Sequence, residues 1–242
     1  MKLIIITGAS KGIGNAIAKE FYKNGYAVIS LSRTKATNLN GIEQIEFDLT
    51  DLVSLQAVFK SVLNKAKFSS LTSITLFNNA GSLGLIKHLE NNDYQIIINS
   101  VNINYTAPLL LNSMFIKETE SWGIDRKIRT ISSGAANSDI DGWSVYCSTK
   151  AAVNRMTSVI GLEQENKKSP VHTIAIYPGI VDTGMQTEIR NASEENFSNV
   201  LRFKEMKANN ELVSPEEVAI KILVIENDSS IENGSIVDVR DY

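Results

Sequence analysis

Short apolar runs alternate along the chain with longer stretches whose apolar residues recur at helical spacing. Leu3–Ile6, Ala27–Leu31, Ile42–Phe47, Ile74–Phe77, Ile128–Ile131, Val171–Ile176 and Ser235–Val239 are rich in Val and Ile, and several are apolar on both faces. That is the pattern of strands in a parallel sheet covered on both sides. Between them, Ile13, Ile17 and Phe21 share one helix face, and Leu52, Leu55, Val58, Phe59 and Val62 share another. Ile103, Ala107, Leu110, Leu111 and Met114 mark a longer helix, and Ala152, Met156, Val159 and Ile160 a further one. Strands alternating with helices predict repeated βαβ units, hence an α/β fold with a parallel sheet.

The stretch from Gly184 to Val213 departs from this rhythm. It is polar and helix-prone, with scattered apolar anchors at Met185, Ile189, Phe197, Leu201, Phe203 and Met206. It follows the carboxyl end of a strand, where open α/β sheets bind ligands. It is expected to be a lid over a site, the alternative being a plain exposed helical excursion.

Composition narrows the function classes. The 242 residues suit one large α/β domain or two small ones. No linker or internal repeat divides the chain, so one domain over 1–242 is the simplest account. With 43% hydrophobic residues it can bury a full core. A formal charge of −3 offers no bulk attraction to nucleic acid or anionic membranes. One cysteine excludes a disulfide framework and a cysteine-rich zinc site, and the two histidines, His88 and His172, leave little for a histidine-based metal site. The apolar start, Leu3–Ile6, is too short for a signal core, and no stretch approaches the roughly 18 apolar residues of a membrane span. A soluble cytoplasmic protein is the expectation.

Thr7-Gly8-Ala9-Ser10-Lys11-Gly12-Ile13-Gly14 lies between the first strand and the first helix. Glycines there permit a tight turn and close approach of a ligand to the backbone. The helix amino terminus then offers N–H groups and a positive dipole end to a phosphate. The spacing is G-x-x-x-G-x-G rather than the usual G-x-G-x-x-G dinucleotide fingerprint. The overlapping G-x-S-x-G would make Ser10 a hydrolase nucleophile. Against that, the strand is the first of the chain, and neither histidine stands near the carboxyl end, where such a base belongs.

A ribose-binding acid is expected about 20 residues after the turn, at the end of the second strand. That segment reads Ser30-Leu31-Ser32-Arg33-Thr34 and has no acid. Arg33 offers a charged fork to a phosphate, Ser32 a neutral donor, and Lys11 a second cation. This favours NADP(H) over NAD(H), the alternative being that Arg33 and Lys11 are ordinary surface cations.

Tyr146 and Lys150 are four apart in a helical stretch, one turn apart on the same face. A cation near a phenol lowers its pKa from about 10 and lets it exchange a proton with a carbonyl or alkoxide at neutral pH. Ser133 follows the strand Ile128–Ile131, and its hydroxyl can hold a substrate oxygen.

Thr7–Gly14, Asn78-Asn79-Ala80-Gly81, Ser133, Tyr146-x-x-x-Lys150 and Pro178-Gly179 stand in the order and spacing of the short-chain dehydrogenase/reductase family, and the resemblance covers essentially the whole chain. It implies a single Rossmann-type doubly wound domain with a seven-stranded parallel sheet, a nicotinamide dinucleotide, and hydride transfer coupled to a proton from tyrosine. By position, it makes Tyr146 the general acid in reduction and Ser133 the residue that stabilises the carbonyl oxygen. Lys150 lowers the tyrosine pKa and binds the nicotinamide ribose. The family's relay asparagine has two candidates, Asn102 and Asn104. Ala107, three residues on, selects Asn104. The resemblance assigns cofactor contacts to Gly8, Ser10, Lys11, Gly12, Ile13, Gly14, Ser32, Arg33, Asp48, Leu49, Asn79, Ala80 and Gly81. Pro178, Gly179, Ile180, Val181 and Thr183 complete that wall.

A narrower likeness is carried by Asn78–Gly84, Gly142-Trp143-x-x-Tyr146-Cys147, Pro178–Gln186 and Val237-Asp238. These segments resemble the sepiapterin reductase branch, and bacterial benzil reductases still more closely across Met185–Leu201. The likeness implies a small-molecule carbonyl substrate touching Ser133, Trp143, Tyr146 and Met185. It also puts Asp238 where an acid grips a pterin ring through paired hydrogen bonds, or else at an ordinary strand end. It further implies a homodimer or homotetramer. Cys147 and the two histidines are expected to be structural. The expected activity is NADPH-dependent carbonyl reduction, the alternative being an NADP(H)-binding sensor without turnover.

Overall fold

The computed structural model describes residues 1–67 and 70–242. The chain runs β1 (Lys2–Thr7), α1 (Gly12–Lys23), β2 (Ala27–Ser32), β3 (Glu43–Glu46), α2 (Leu52–Lys67) and β4 (Ser73–Asn78). Then come α3 (Tyr94–Val101), α4 (Ala107–Glu118), β5 (Asp125–Ile131), α5 (Ser144–Gln164) and β6 (Val171–Tyr177). α6 (Gly184–Arg190), α7 (Val200–Ala208), α8 (Pro215–Asn227) and β7 (Ile236–Asp238) complete it. The seven strands form one sheet in the order β3-β2-β1-β4-β5-β6-β7, and every pair is parallel. All seven predicted strands are present, with ends shifted by up to three residues.

The central strands are buried on both faces. Ile4, Ile6, Phe77, Ile174 and Ile176 pack under α1 and α8. Leu3, Ile5, Leu76 and Ile128 pack under α2 and α4 with Phe59, Leu111 and Phe115. The edge strand β3 is half-exposed along its length, so the doubly apolar pattern holds for the middle of the sheet only. Two residues of the predicted helical stripes face outward: Leu110 is 38% and Val159 43% exposed.

The strand order reverses direction between β1 and β4. Chains leaving these two strands diverge to opposite sides and open a crevice at their carboxyl ends. The glycine turn leaves β1 and Asn79–Gly81 leaves β4, so both border that crevice. The stretch 184–213 is α6 and α7 packed on each other, tied back to the body by the parallel bridge between Val181 and Val213. Of its predicted anchors, Ile189, Phe197 and Phe203 are buried. Leu201 is 52% exposed, and its neighbour Val200 is buried in its place.

Candidate active site

The glycine turn is shaped by close contacts. Gly8 has φ +71°, and a Cβ there would lie 2.8 Å from the Ala80 Cα. A Cβ on Gly14 would meet the Asn79 side chain and the Gly8 carbonyl oxygen. Asn79 locks the arrangement: its Nδ2 donates to the Thr7 and Gly8 carbonyls, while the Asn79 and Ala80 N–H groups donate to Thr7 Oγ1. The Asn79 side chain is thus spent on holding β1 against β4. The first turn of α1 has no side-chain cap, since Lys11 sits at the N-cap without a capping bond. An uncapped helix start inside a glycine cradle fits a phosphate of a dinucleotide.

Lys11 and Arg33 flank this cradle as exposed side chains, and Ser32 is buried beside Ser30 at 3.3 Å. Asp48 accepts from the Thr50 N–H and hydroxyl, both at 2.9 Å, and Leu49 is buried in the core. On the other side of the crevice, Gly179 follows β6 with φ +75° and Ile180 packs into the lid cluster. The Thr183 methyl would lie 3.4 Å from a Cβ on Gly12, so it stands over the glycine turn.

Tyr146, Lys150, Ser133 and Asn104, the residues expected to handle protons, lie beyond β4 and β5. Tyr146 and Lys150 face inward from α5, and both are buried. The Lys150 Nζ lies 5.6 Å from the centre of the Tyr146 ring and donates to the Ile131 carbonyl at 2.7 Å. Ser133 starts the 3-10 turn Gly134–Asn137, where its Oγ accepts from the Ala135 N–H at 3.2 Å. Asn104 lies in a π-turn, Asn102–Thr106, between α3 and α4. π-turns inside helices mark functional sites. Its Oδ1 accepts from the Ser82 N–H, and its Nδ2 donates to the Ser82 carbonyl and to Thr149 Oγ1. Gly81 separates the two groups: a Cβ there would lie 3.4 Å from Asn104 Oδ1 and 3.8 Å from Lys150 Nζ.

The electrostatics differ from the sequence expectation. Burial pushes the Tyr146 phenol up to about 12, with the neighbouring Ser133 hydroxyl pulling the other way. Burial pushes Lys150 down to about 8. Loss of water around the phenol therefore outweighs the Ser133 hydrogen bond, and Lys150 does not figure among the causes of the shift. Tyr146 is held as a neutral acid, the form a proton donor needs.

Residues of the stretch 184–213 pack over Tyr146. Trp143, directly before α5, stacks on Phe197 at 5.3 Å and meets the Tyr146 ring edge-on at 5.4 Å. Phe203 closes the group, and Met185 packs against it. Asp141 ties down this stretch by accepting from the Ser198 N–H and hydroxyl, each at 2.8 Å, and Asp182 pairs with Lys207 at 2.6 Å. Asp238 lies opposite Tyr177 in the sheet, but its carboxylate is already held by Arg240, at 2.9 Å to Nε and 2.5 Å to Nη2. A pterin would have to take the place of Arg240. Cys147 is a half-buried thiol whose pKa is raised by burial, as a packed residue would be.

Sequence reasoning missed the residues that hold the reacting ones. Thr149 donates to the Tyr146 carbonyl while accepting from Asn104. Ser132 donates to Asn154, whose Nδ2 donates to the Tyr177 hydroxyl at 2.5 Å, joining β5, α5 and β6 beside the site. Thr149 lies within the Tyr146–Lys150 motif and Ser82 directly follows Asn78–Gly81, so position alone could have flagged them. Asn154 and Tyr177 carry no local signal.

Comparison with known proteins agrees with this architecture. The family model for short chain dehydrogenase matches residues 2–194. A benzil reductase ((S)-benzoin forming) of Bacillus cereus is 37% identical over 247 residues, spanning 99% of each chain. A sepiapterin reductase of Bos taurus is 28% identical over 258 residues, spanning 99% of this chain and 94% of the relative. A crystal structure of a short chain dehydrogenase/reductase from Saccharomyces cerevisiae superposes with a TM-score of 0.85 at 25% identity, covering 100% of this chain and 97% of the other. The chain therefore belongs to the short-chain dehydrogenase/reductase family, in the branch of the benzil and sepiapterin reductases, and is an oxidoreductase acting on CH–OH or C=O groups.

Proposed function

We propose that the protein is an NADPH-dependent carbonyl reductase whose substrate is a ketone or a vicinal dicarbonyl such as benzil or sepiapterin. One observation carries this reading: a neutral, buried Tyr146 beside Ser133 and Lys150, roofed by aromatic rings. The uncapped start of α1 and Lys150 would hold the cofactor in the crevice between them, and a reduced nicotinamide there would supply the hydride. Ser133 and Tyr146 hold the carbonyl oxygen. As the carbon gains the hydride, the Tyr146 O–H bond breaks and the proton passes to the oxygen, giving the alcohol. Lys150, with protons to share, and the polar cluster of Asn104 and Thr149 return a proton to the phenolate. The lid excludes water from the developing alkoxide.

Arg33 and Lys11, with no acid at the end of β2, support NADPH over NADH. The exposed Leu109, Leu110, Val159 and Leu162 on α4 and α5 support a homodimer or homotetramer. The absence of any helix long and apolar enough to cross a membrane among the described residues is consistent with a cytoplasmic enzyme.

The test is NADPH consumption with benzil, sepiapterin, other diketones and simple ketones. Turnover of at least one is expected. Tight NADPH binding without turnover of any would replace the reductase by a sensor. Tyr146→Phe is expected to abolish turnover and leave NADPH affinity nearly intact, and an active variant would sink the tyrosine mechanism. Arg33→Asp should shift preference toward NADH. Asp238→Ala should raise KM for sepiapterin but not for benzil, if Asp238 exchanges Arg240 for a pterin.

A further inference from the structure

The Trp143 side chain holds a polar group with nothing to bond to. Its Nε1 is buried and has no hydrogen-bond partner among the described residues, and the ring as a whole is 6% exposed. A buried donor left unpaired is disfavoured and calls for a specific explanation. No acceptor of the described residues reaches it, and the apolar cluster that holds the indole includes Leu83, Tyr146, Phe197, Val200 and Phe203. The ring is also fixed in place, stacked at 7° on Phe197 and edge-on to Tyr146. An unpaired N–H therefore belongs to a ring that touches the proposed proton donor, Tyr146.

The second tryptophan is an internal control. Trp122 also has a buried, unpartnered Nε1, but it packs with Leu55, Phe59 and Phe115 under α2 and α4, in a different cluster from Tyr146. An orphan indole is thus not a site in itself. What distinguishes Trp143 is contact with the residue that protonates the substrate.

We propose that the Trp143 indole N–H is a specificity-determining donor that takes the second, non-reacting oxygen of a vicinal dicarbonyl. This rests on the proposed carbonyl reduction at Tyr146. In a vicinal dicarbonyl the second oxygen is one carbon–carbon bond from the reacting centre. With the first oxygen on Tyr146 and Ser133, the second can reach the Trp143 N–H once the side chains that seal the indole, Phe197 and Phe203 among them, make room for it. A simple ketone brings no such acceptor and leaves the N–H unpaired. A site whose polar group stays unpaired discriminates against the ligand that fails to satisfy it.

Trp143→Phe removes the N–H and keeps a ring to stack on Phe197. Benzil and deoxybenzoin form a matched pair, with the same two phenyl groups and one carbonyl replaced by methylene. The readout is the ratio of their kcat/KM values, or of their inhibition constants where a compound binds without turnover. The wild-type ratio should exceed that of Trp143→Phe by about tenfold. An equal ratio in the two proteins overturns the proposal, whatever both activities do. A second measurement does not depend on this variant folding. In the NADP(H)-loaded protein labelled with 15N at the indoles, benzil should move the Trp143 N–H proton resonance downfield and leave that of Trp122 in place, with Trp122→Phe making the assignment. A Trp143 resonance that benzil does not move refutes the contact. If the wild type reduces neither these two nor any other carbonyl of the panel, the reductase reading fails, and the resonance still decides the hydrogen bond by itself.

Discussion

Lys150 and Arg129 are both cations removed from water, and their surroundings are opposite. Arg129 is 2% exposed and pairs through Nε with Glu226 at 2.7 Å. Its Nη1 donates to the Ile128 and His172 carbonyls and meets His172 Nδ1 at 3.2 Å. Thr75 donates to the same carboxylate, and Lys127 lies 3.5 Å from it. Arg129 Nε and Nη1 and both Glu226 oxygens are answered, so the group ties β4, β5 and β6 to the end of α8. Lys150 has one bond, to the Ile131 carbonyl, and no carboxylate within ion-pair distance among the described residues. Burial alone sets its proton affinity. A buried charge that serves the fold is neutralised where it stands, whereas one that serves chemistry keeps protons uncommitted at a cost in stability.

The sharpest way to break this contrast is Lys150→Met. Turnover should fall by roughly 100- to 10,000-fold, as expected for loss of a proton-transfer partner. Stability of the cofactor-free chain should rise by about 1–3 kcal/mol, since the uncompensated charge is gone. The sign follows from linkage. A lysine lowered from 10.5 to about 8 on folding destabilises the native state in full below pH 8. That penalty fades as pH rises toward 10.5. The stabilising effect of the substitution should therefore be largest at pH 7 and shrink by pH 10 in thermal melts. A variant less stable than wild type at pH 7 would remove the basis of the comparison.

Glu226→Gln tests the opposite pole. It strips Arg129 of its counter-charge, and breaking a buried pair in this way typically destabilises by about 3–5 kcal/mol. Urea denaturation should show that loss, while kcat of the remaining folded protein is unchanged. A loss under about 1 kcal/mol would mean the network is not what holds α8 to the sheet.

His172 reads the same network more gently. Burial lowers its pKa below 6.5, helped by the Arg129 and Lys127 charges and opposed by its bond to the Ile231 carbonyl and by Glu226. The unfolded chain therefore takes up this proton first, and stability should fall as pH drops below 6.5. His172→Gln should flatten that part of the stability profile. An unchanged slope would assign the acid sensitivity elsewhere. The smallest effect is expected at the exposed end of the molecule. Arg240→Ala frees the Asp238 carboxylate, should leave the melting temperature unchanged, and should lower KM for sepiapterin if Asp238 binds a pterin.

Much of this site was legible beforehand because its residues lie in local motifs. Tyr146 and Lys150 sit one helical turn apart, and the glycines of 8–14 lie on a strand–turn–helix boundary, so local geometry already implies their relation. The face assignments were less secure. Leu110 and Val159 fit a helical stripe yet lie outside the core, because the apolar stripes of α4 and α5 are wider than the faces they turn to the sheet. Leu201 was read as an anchor, but the orientation of α7 buries Val200 instead. Asn104 needed a family pattern to be separated from Asn102, and the π-turn that seats it depends on packing between α3 and α4.

The sequence by itself determined the seven strands, their parallel pairing and the order of the reacting groups, because these follow from periodicity and from spacing within single elements. Only the tertiary structure decided the protonation chemistry. Burial raises Tyr146 and lowers Lys150, and around Tyr146 part of that burial comes from Phe197 and Phe203, which are distant in sequence and join Trp143 in one cluster. Desolvation is a property of the assembled surroundings, and no local pattern of residues encodes it.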